Sequence, residues 1–262
     1  MEVIILPTEE SAGREAAERV IIAVASKPDA VLGLATGRTM EGIYRRLVEA
    51  CRRSRISFAR VVTFNLDEYL GIPPEDPRSF LSYMRKHLFD HIDLPSGNAH
   101  IPPSQPANLE VDCRRYEDAI GRAGGIDLQL LGIGREGHIG FNEPSSSLRA
   151  RTRVKTLTDT TLRDNFGQDG GPRFAVTMGI GTIMEAREIL LVAFGRAKAR
   201  VVAEAVEGPI TASCPASALQ FHPRAKIVLD EEAAGRLERK DYYKWVYAHK
   251  REAEEIGNTG NS

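Results

Sequence analysis

The stretch Ile126-Asp-Leu-Gln-Leu-Leu-Gly-Ile-Gly-Arg-Glu-Gly-His-Ile-Gly-Phe-Asn-Glu-Pro144 decides how this chain is read. Its first eight residues, Ile126 to Ile133, are mostly apolar and predict a buried strand of a parallel sheet. Past that strand come Gly134, Glu136, Gly137, His138, Gly140 and Glu143, a histidine between two carboxylates on a glycine-loosened turn. In open α/β sheets, ligands bind beyond the carboxyl ends of the strands. An acid bonded to one ring nitrogen fixes the imidazole tautomer and raises its basicity, so His138 is a candidate acid/base. The segment Gly132-Ile-Gly134-Arg-Glu-Gly137 also fits the G-x-G-x-x-G spacing of a dinucleotide turn. Such a turn must open a helix, and Asn142-Glu-Pro144 with the serines after it breaks any helix at once.

On either side of this stretch, short apolar runs alternate with amphipathic ones, the pattern of β-α units around a largely parallel sheet. Strands are predicted at Val3 to Leu6, Ala30 to Ala35, Arg60 to Asn65, Asp127 to Ile133, Phe174 to Met178, Ile189 to Phe194 and Lys226 to Leu229. Helices are predicted at Glu9 to Ala25, Met40 to Ala50, Phe80 to Phe89, Leu109 to Arg122, Ala197 to Val206 and Lys240 to Glu255. Pro95 to Pro106 reads as a loop. The expected organisation is one α/β domain over residues 1–256, with 257–262 as a frayed tail.

Composition narrows the function classes. With 262 residues, 42% hydrophobic and 27% charged, the chain can fill one large core. A formal net charge of −1 without a long basic block gives no nucleic-acid surface. The expected partner is a small molecule. Cys51, Cys113 and Cys214 are odd in number and widely spaced, which argues against disulfides or zinc and for a reducing cytoplasm. The short apolar run at the N-terminus has no basic flank and is too short for a signal peptide or a membrane span. His87 and His91 stand four apart with no third ligand nearby, a poor metal site.

Two more segments carry chemistry. Leu32-Gly-Leu-Ala-Thr-Gly-Arg-Thr-Met40 runs from a strand through a turn into a helix. Its backbone N–H groups and the hydroxyls of Thr36 and Thr39 suit an anion. The plainer alternative is a tight turn with Thr39 as N-cap. Thr63-Phe-Asn-Leu-Asp-Glu-Tyr-Leu-Gly71 places Asp67 and Glu68 together at a strand end. On an extended backbone they point to opposite faces, so only one carboxylate can face a pocket. That one is suited to removing a proton from a carbon beside a carbonyl, and the alternative is a cap on the following turn.

These three segments, in this order, resemble the glucosamine-6-phosphate deaminase (isomerase) family. The likeness continues through Arg151-Thr-Arg-Val-Lys-Thr-Leu-Thr158 and Leu219-Gln-Phe-His-Pro223 and covers nearly the whole chain. It implies a modified Rossmann-like fold and conversion of glucosamine 6-phosphate to fructose 6-phosphate with release of ammonia, without a cofactor. By position, Asp67 matches the acid that moves a proton from C2 to C1 through an enolamine. His138 matches the ring-opening acid/base, and Glu136 and Glu143 match its carboxylate partners. Thr36, Gly37, Arg38, Thr39 and Lys198 match phosphate ligands. Ser146, Arg153 and Lys155 match positions that in hexameric members bind the effector N-acetylglucosamine 6-phosphate between subunits. The basic segment also reads as a plain solvated strand, which leaves a homo-oligomer and a monomer both open.

The chain departs from the family pattern in three places. Glu136 stands where Asp is commoner, one methylene longer. Arg38 and Met40 alter the glycine turn. The phosphate-binding arginine expected after Asn165 has no match, and Arg163 and Arg38 are the candidates to replace it. Two competing functions share the need to hold a sugar phosphate. One is a hydrolase of the 6-phosphogluconolactonase type, which Asp67 with Glu68-Tyr69 and the Phe-Asn-Glu ending argue against. The other is a non-catalytic sugar-phosphate sensor, which would carry a DNA-binding region before the first strand, here expected at Val3.

Overall fold

A computed structural model describes residues 1–167 and 170–250; the expected end of the last helix at Glu255 and the tail from Gly257 lie outside the described residues. Seven parallel strands form the main sheet: β1 (Glu2–Leu6), β2 (Val31–Leu34), β3 (Val62–Asn65), β5 (Ala99–His100), β6 (Leu128–Leu131), β9 (Glu188–Ala193) and β10 (Ala225–Asp230). Their spatial order is β1-β10-β9-β6-β2-β3-β5. From β2 the chain steps outward to β3 and β5, and from β6 it steps the other way to β9 and β10. The strand order therefore reverses between β2 and β6. That crevice is where an open α/β sheet binds its ligand.

The strands are apolar because both faces are covered. All four residues of β2 and all four of β6 are buried. Helix α1 (Glu9–Ser26) buries Ala12, Ala16, Val20 and Val24 on one stripe and opens with a capping box between Thr8 and Ser11. Helix α2 (Arg38–Arg52) buries Met40, Ile43, Tyr44, Leu47 and Val48 in the same way. Helices α3 (Phe80–His87), α4 (Leu109–Arg122), α6 (Ile180–Met184), α7 (Ala199–Val206) and α8 (Lys240–Ala248) complete the layers. No described helix is long and apolar enough to cross a membrane.

A second, antiparallel sheet of order β4-β8-β7 was not foreseen as a separate unit. It consists of β4 (Asp67–Tyr69), β7 (Arg153–Thr156) and β8 (Phe174–Thr177). Asp67 and Glu68 thus sit on a strand of their own rather than at the end of β3. Three residues that include two acids carry little strand signal, and the pairing of Asp67 with Thr177 is contributed from over a hundred residues away. Helix α5 (Asp159–Phe166), absent from the sequence expectation, lies beside this sheet. Tyr69 packs against Phe80, Phe141 and Phe166 at ring-centroid distances of 4.6, 5.5 and 4.9 Å, tying α3, the histidine loop and α5 together. Such aromatic pairs contribute about 0.5–1.5 kcal/mol each beyond area burial. The Pro95–Pro106 loop contains β5, whose two residues are too few to show a period.

Candidate active site

A cavity of about 300 Å³ opens at the β2/β6 crevice. Ala35 to Met40 form one wall, Gly132 to Arg135 with His138 another, and Asp67, Phe80, Gly140, Phe141, Thr161, Asn165 and Lys198 close it. Its size suits a small polar metabolite.

The turn after β2 is built to present backbone donors. Gly37, at φ +111°, is the N-cap of α2, and no side chain caps that helix. Thr39 is not the cap. By contrast, Thr8, Ser79, Asn108 and Thr158 accept from first-turn amides at α1, α3, α4 and α5. The orphan amides of α2 and its positive end therefore face the cavity without a side-chain cap, as an anion site requires. Tyr83 donates to the Gly37 carbonyl at 2.8 Å and Tyr44 donates to that of Ala35, which holds the turn in place. Lys198, at the end of a short 3-10 turn after β9, lines the same cavity and donates to the Ile133 carbonyl at 2.6 Å. Arg38 is exposed at the rim and lines the cavity, whereas Arg163 is exposed and outside its wall.

The adjacent acids divide as their alternation requires. Glu68 is buried and accepts from the amides of Tyr69, Phe80 and Leu81 at 2.8–3.0 Å, so it anchors the N-terminus of α3. Asp67 points into the cavity. It is 6% exposed, and among the described residues nothing donates a hydrogen bond to its carboxylate. Burial, with repulsion from Glu68 added, pushes it up to about 8. A carboxyl poised there exchanges its proton near neutral pH.

His138 depends on two glycines. A Cβ on Gly134 would lie 2.0 Å from Nε2 of His138, so only glycine lets the imidazole fold back over the strand end. Gly140, at φ +55°, passes so close to the acid that a Cβ there would lie 3.3 Å from Asp67 Oδ2. His138 Nδ1 lies 3.3 Å from Glu143 Oε2, an ion-pair contact in which the ring nitrogen does not complete a hydrogen bond. Thr161 donates to the other oxygen of Glu143 at 2.5 Å. Burial alone would raise Glu143, but the close approach of His138, the hydrogen bond from Thr161 and the charges of His138 and Lys155 outweigh it and hold the carboxyl below its usual range. No helix follows Gly137 before α5, so the dinucleotide reading fails on structure as it did on sequence.

Not every predicted residue joins this centre. Glu136 is exposed, lies outside the cavity wall and makes no hydrogen bond or ion pair with His138 among the described residues; the turn at Gly137, φ +79°, carries it to the surface. Of the effector set, Ser146 is buried with an unpartnered hydroxyl, Arg153 donates to Asn142 Oδ1 at 2.9 Å, and Lys155 is half-buried on β7. Arg151 pairs with Glu117 and Glu185. His87 packs against Tyr83 with the rings tilted, and His91 contacts the Lys86 carbonyl, both structural positions. Sequence reading missed Arg135, Phe80, Thr161 and Asn165 on the wall. Phe80 carries no chemistry of its own, and Thr161 and Asn165 lie on the helix that went unpredicted.

A doubly wound sheet with a phosphate-type turn, an isolated acid and a histidine–carboxylate pair at its switch point defines a sugar-phosphate-binding α/β protein. Residues 8–228 match the family of glucosamine-6-phosphate isomerases and 6-phosphogluconolactonases, and the chain belongs to that family. It is 54% identical over 250 residues to the glucosamine-6-phosphate deaminase of Hahella chejuensis, covering 94% of this chain and 95% of that protein. Among solved structures, a monomeric glucosamine-6-phosphate deaminase, 43% identical, superposes with a TM-score of 0.86 over 90% of this chain and all of the other. The 6-phosphogluconolactonase of Trypanosoma brucei, 20% identical, has a TM-score of 0.70 over 90% of this chain and 98% of its own, a likeness of fold alone.

Proposed function

We propose that this protein converts glucosamine 6-phosphate to fructose 6-phosphate and ammonia. The observation that carries the reading is Asp67: a buried carboxyl that accepts no hydrogen bond among the described residues, facing the cavity from β4 and pushed up to about 8. Ester-type hydrolysis of a lactone has no need of such a base beside a carbon acid, while aldose–ketose isomerisation does.

The roles follow from position. The α2 amides, Thr36, Thr39 and Lys198 hold the phosphate, with Arg38 at the rim supplying charge in place of the family's missing arginine. His138, backed by Glu143, delivers a proton to the ring oxygen as the sugar opens. Asp67 takes the proton from C2 and returns it to C1 through the enolamine. The resulting C2 imine adds water and releases ammonia. Glu136 has no place at the centre.

We also propose that Arg153 and Lys155, of the three effector positions, serve the site from within the chain. Arg153 holds Asn142, next to Glu143, and Lys155 adds positive potential at that carboxylate. Substrate curves are then hyperbolic and indifferent to N-acetylglucosamine 6-phosphate. A cytoplasmic location is supported by three free cysteines. The test of activity is incubation of the purified protein with glucosamine 6-phosphate and, separately, 6-phosphogluconolactone. Stoichiometric ammonia and fructose 6-phosphate from the first, with no acceleration of the second, is the expected result. Lactone hydrolysis without ammonia release would reverse the assignment.

A further inference from the structure

The acid–base pair has a third member that the roles above leave unused. Glu143 offers two oxygens, and each is engaged from a different side: Oε2 faces His138 Nδ1 at 3.3 Å, and Oε1 accepts from Thr161 Oγ1 at 2.5 Å. Thr161 is buried, 7% exposed, on α5. The direction of its hydrogen bond is set by its neighbour. Thr158 Oγ1 accepts from the Thr161 amide at 3.2 Å and contacts Thr161 Oγ1 at 3.0 Å. With Glu143 ionised and able only to accept, the Thr161 proton goes to the carboxylate and its lone pair takes the Thr158 proton.

We propose that Thr161 is a positioning residue for the His138–Glu143 pair, its hydroxyl fixing the carboxylate that orients the imidazole. The inference rests on the reading that this pair performs acid–base work. A carboxylate held at one oxygen only can rotate about its last side-chain bond, and Oε2 would then leave Nδ1. Thr161 stops that rotation, and α5 is itself secured: Phe166 packs on Tyr69 at 4.9 Å and the Asn165 side chain hydrogen-bonds to Tyr69. The imidazole is thus aligned through Glu143 only when α5 sits against the small sheet. The charged groups acting on Glu143 are His138 from its own loop and Lys155 from β7, and among the described residues only Thr161 hydrogen-bonds to Oε1.

The test uses Thr161→Val, which keeps the shape and removes the hydroxyl, with Thr161→Ser as the conservative variant. Two readings are taken on the full-length protein: the carbon-13 NMR titration of the Glu143 carboxyl, and ammonia release from glucosamine 6-phosphate as a function of pH. A hydrogen bond to the ionised form lowers a carboxyl pKa, so its loss must raise it. In Thr161→Val the Glu143 midpoint rises and kcat falls by about 10- to 100-fold at every pH, the cost typical of removing an outer partner of a functional side chain. Thr161→Ser restores the midpoint and most of kcat. An unmoved Glu143 midpoint in Thr161→Val, or a rise in KM alone, would overturn the proposal and leave Thr161 as wall or as a direct substrate contact. The titration does not depend on turnover. A Glu143 midpoint that shifts in Thr161→Val, alongside a wild-type protein that releases no ammonia, would uphold the positioning role while refuting the proposed activity.

Discussion

Asp67 and Glu68 are adjacent in the chain, yet the first carboxyl faces the cavity with no hydrogen bond from the described residues, while the second accepts from the Tyr69 amide and from those of Phe80 and Leu81 at the start of α3. Strand geometry forces the division, since successive side chains leave opposite faces. The two substitutions should therefore act oppositely on stability. Glu68→Gln loses a charge and one good acceptor beneath α3, at a cost of about 1–3 kcal/mol. In thermal unfolding its Tm should drop by several degrees. Asp67→Asn removes a buried carboxyl without a partner and should hold or raise Tm at pH 8. A Glu68→Gln protein as stable as wild type would show that α3 is not anchored there.

The pH dependence of stability has a definite sign. Asp67 in the folded protein is pushed up to about 8, well above its unfolded value. Between the ordinary carboxylate range and pH 8, the folded state holds a proton the unfolded state has lost, so stability falls as pH rises through that window. Urea unfolding from pH 5 to pH 9 should show this fall in wild type and a flatter profile in Asp67→Asn. The same titration governs catalysis, because only the ionised acid can take a proton from carbon. The kcat/KM of the wild-type protein should rise with pH toward about 8. Parallel stability profiles for the two proteins would remove Asp67 as the titrating group.

Gly134 is where a methyl group tests the position of the imidazole. Its Cβ would occupy space 2.0 Å from His138 Nε2, so Gly134→Ala must swing the ring away from Glu143. Losing a positioned acid/base costs about 10²–10⁴-fold in rate. The expected result is a kcat reduced by at least about tenfold, with KM little changed, since the phosphate turn lies across the cavity. Wild-type kcat in a folded Gly134→Ala protein would mean that His138 is not needed where the structure puts it.

Lys198 and the uncapped end of α2 line one cavity. A charge-assisted hydrogen bond to phosphate is worth about 1.5–3 kcal/mol. Lys198→Ala should therefore raise KM for the phosphorylated substrate by roughly tenfold or more, with a smaller effect on kcat. An unchanged KM would place the phosphate elsewhere, with Arg38 and Arg135 as the next groups to substitute.

The parallel frame was legible in sequence because its strands are fully buried and its helices amphipathic; Leu128–Leu131 and α2 show this most plainly. The three segments that line the cavity were legible too, since each leads off a strand of the main sheet. What escaped was set by tertiary pairing. β4 exists because Asp67 to Tyr69 meets Ala175 to Thr177, and no local property of Asp-Glu-Tyr announces that. Helix α5 is eight residues long and opens with two threonines and an aspartate, poor helix formers that its Thr158 cap and the packing of Phe166 compensate. With α5 unseen, Thr161 and Asn165 could not be placed on the wall. Glu136 was drawn toward His138 by proximity in sequence, and the left-handed residue Gly137 between them sends it the other way.

The most direct test of the central claim is the turnover of Asp67→Asn on glucosamine 6-phosphate, with folding verified by its Tm. The variant keeps the shape of the side chain and the cavity while removing the carboxylate proposed to take a proton from C2. Ammonia release should fall by at least about 10²-fold, the contribution of a well-placed general base, with KM for the phosphosugar near its wild-type value. A folded Asp67→Asn protein that releases ammonia at close to the wild-type rate would contradict the account.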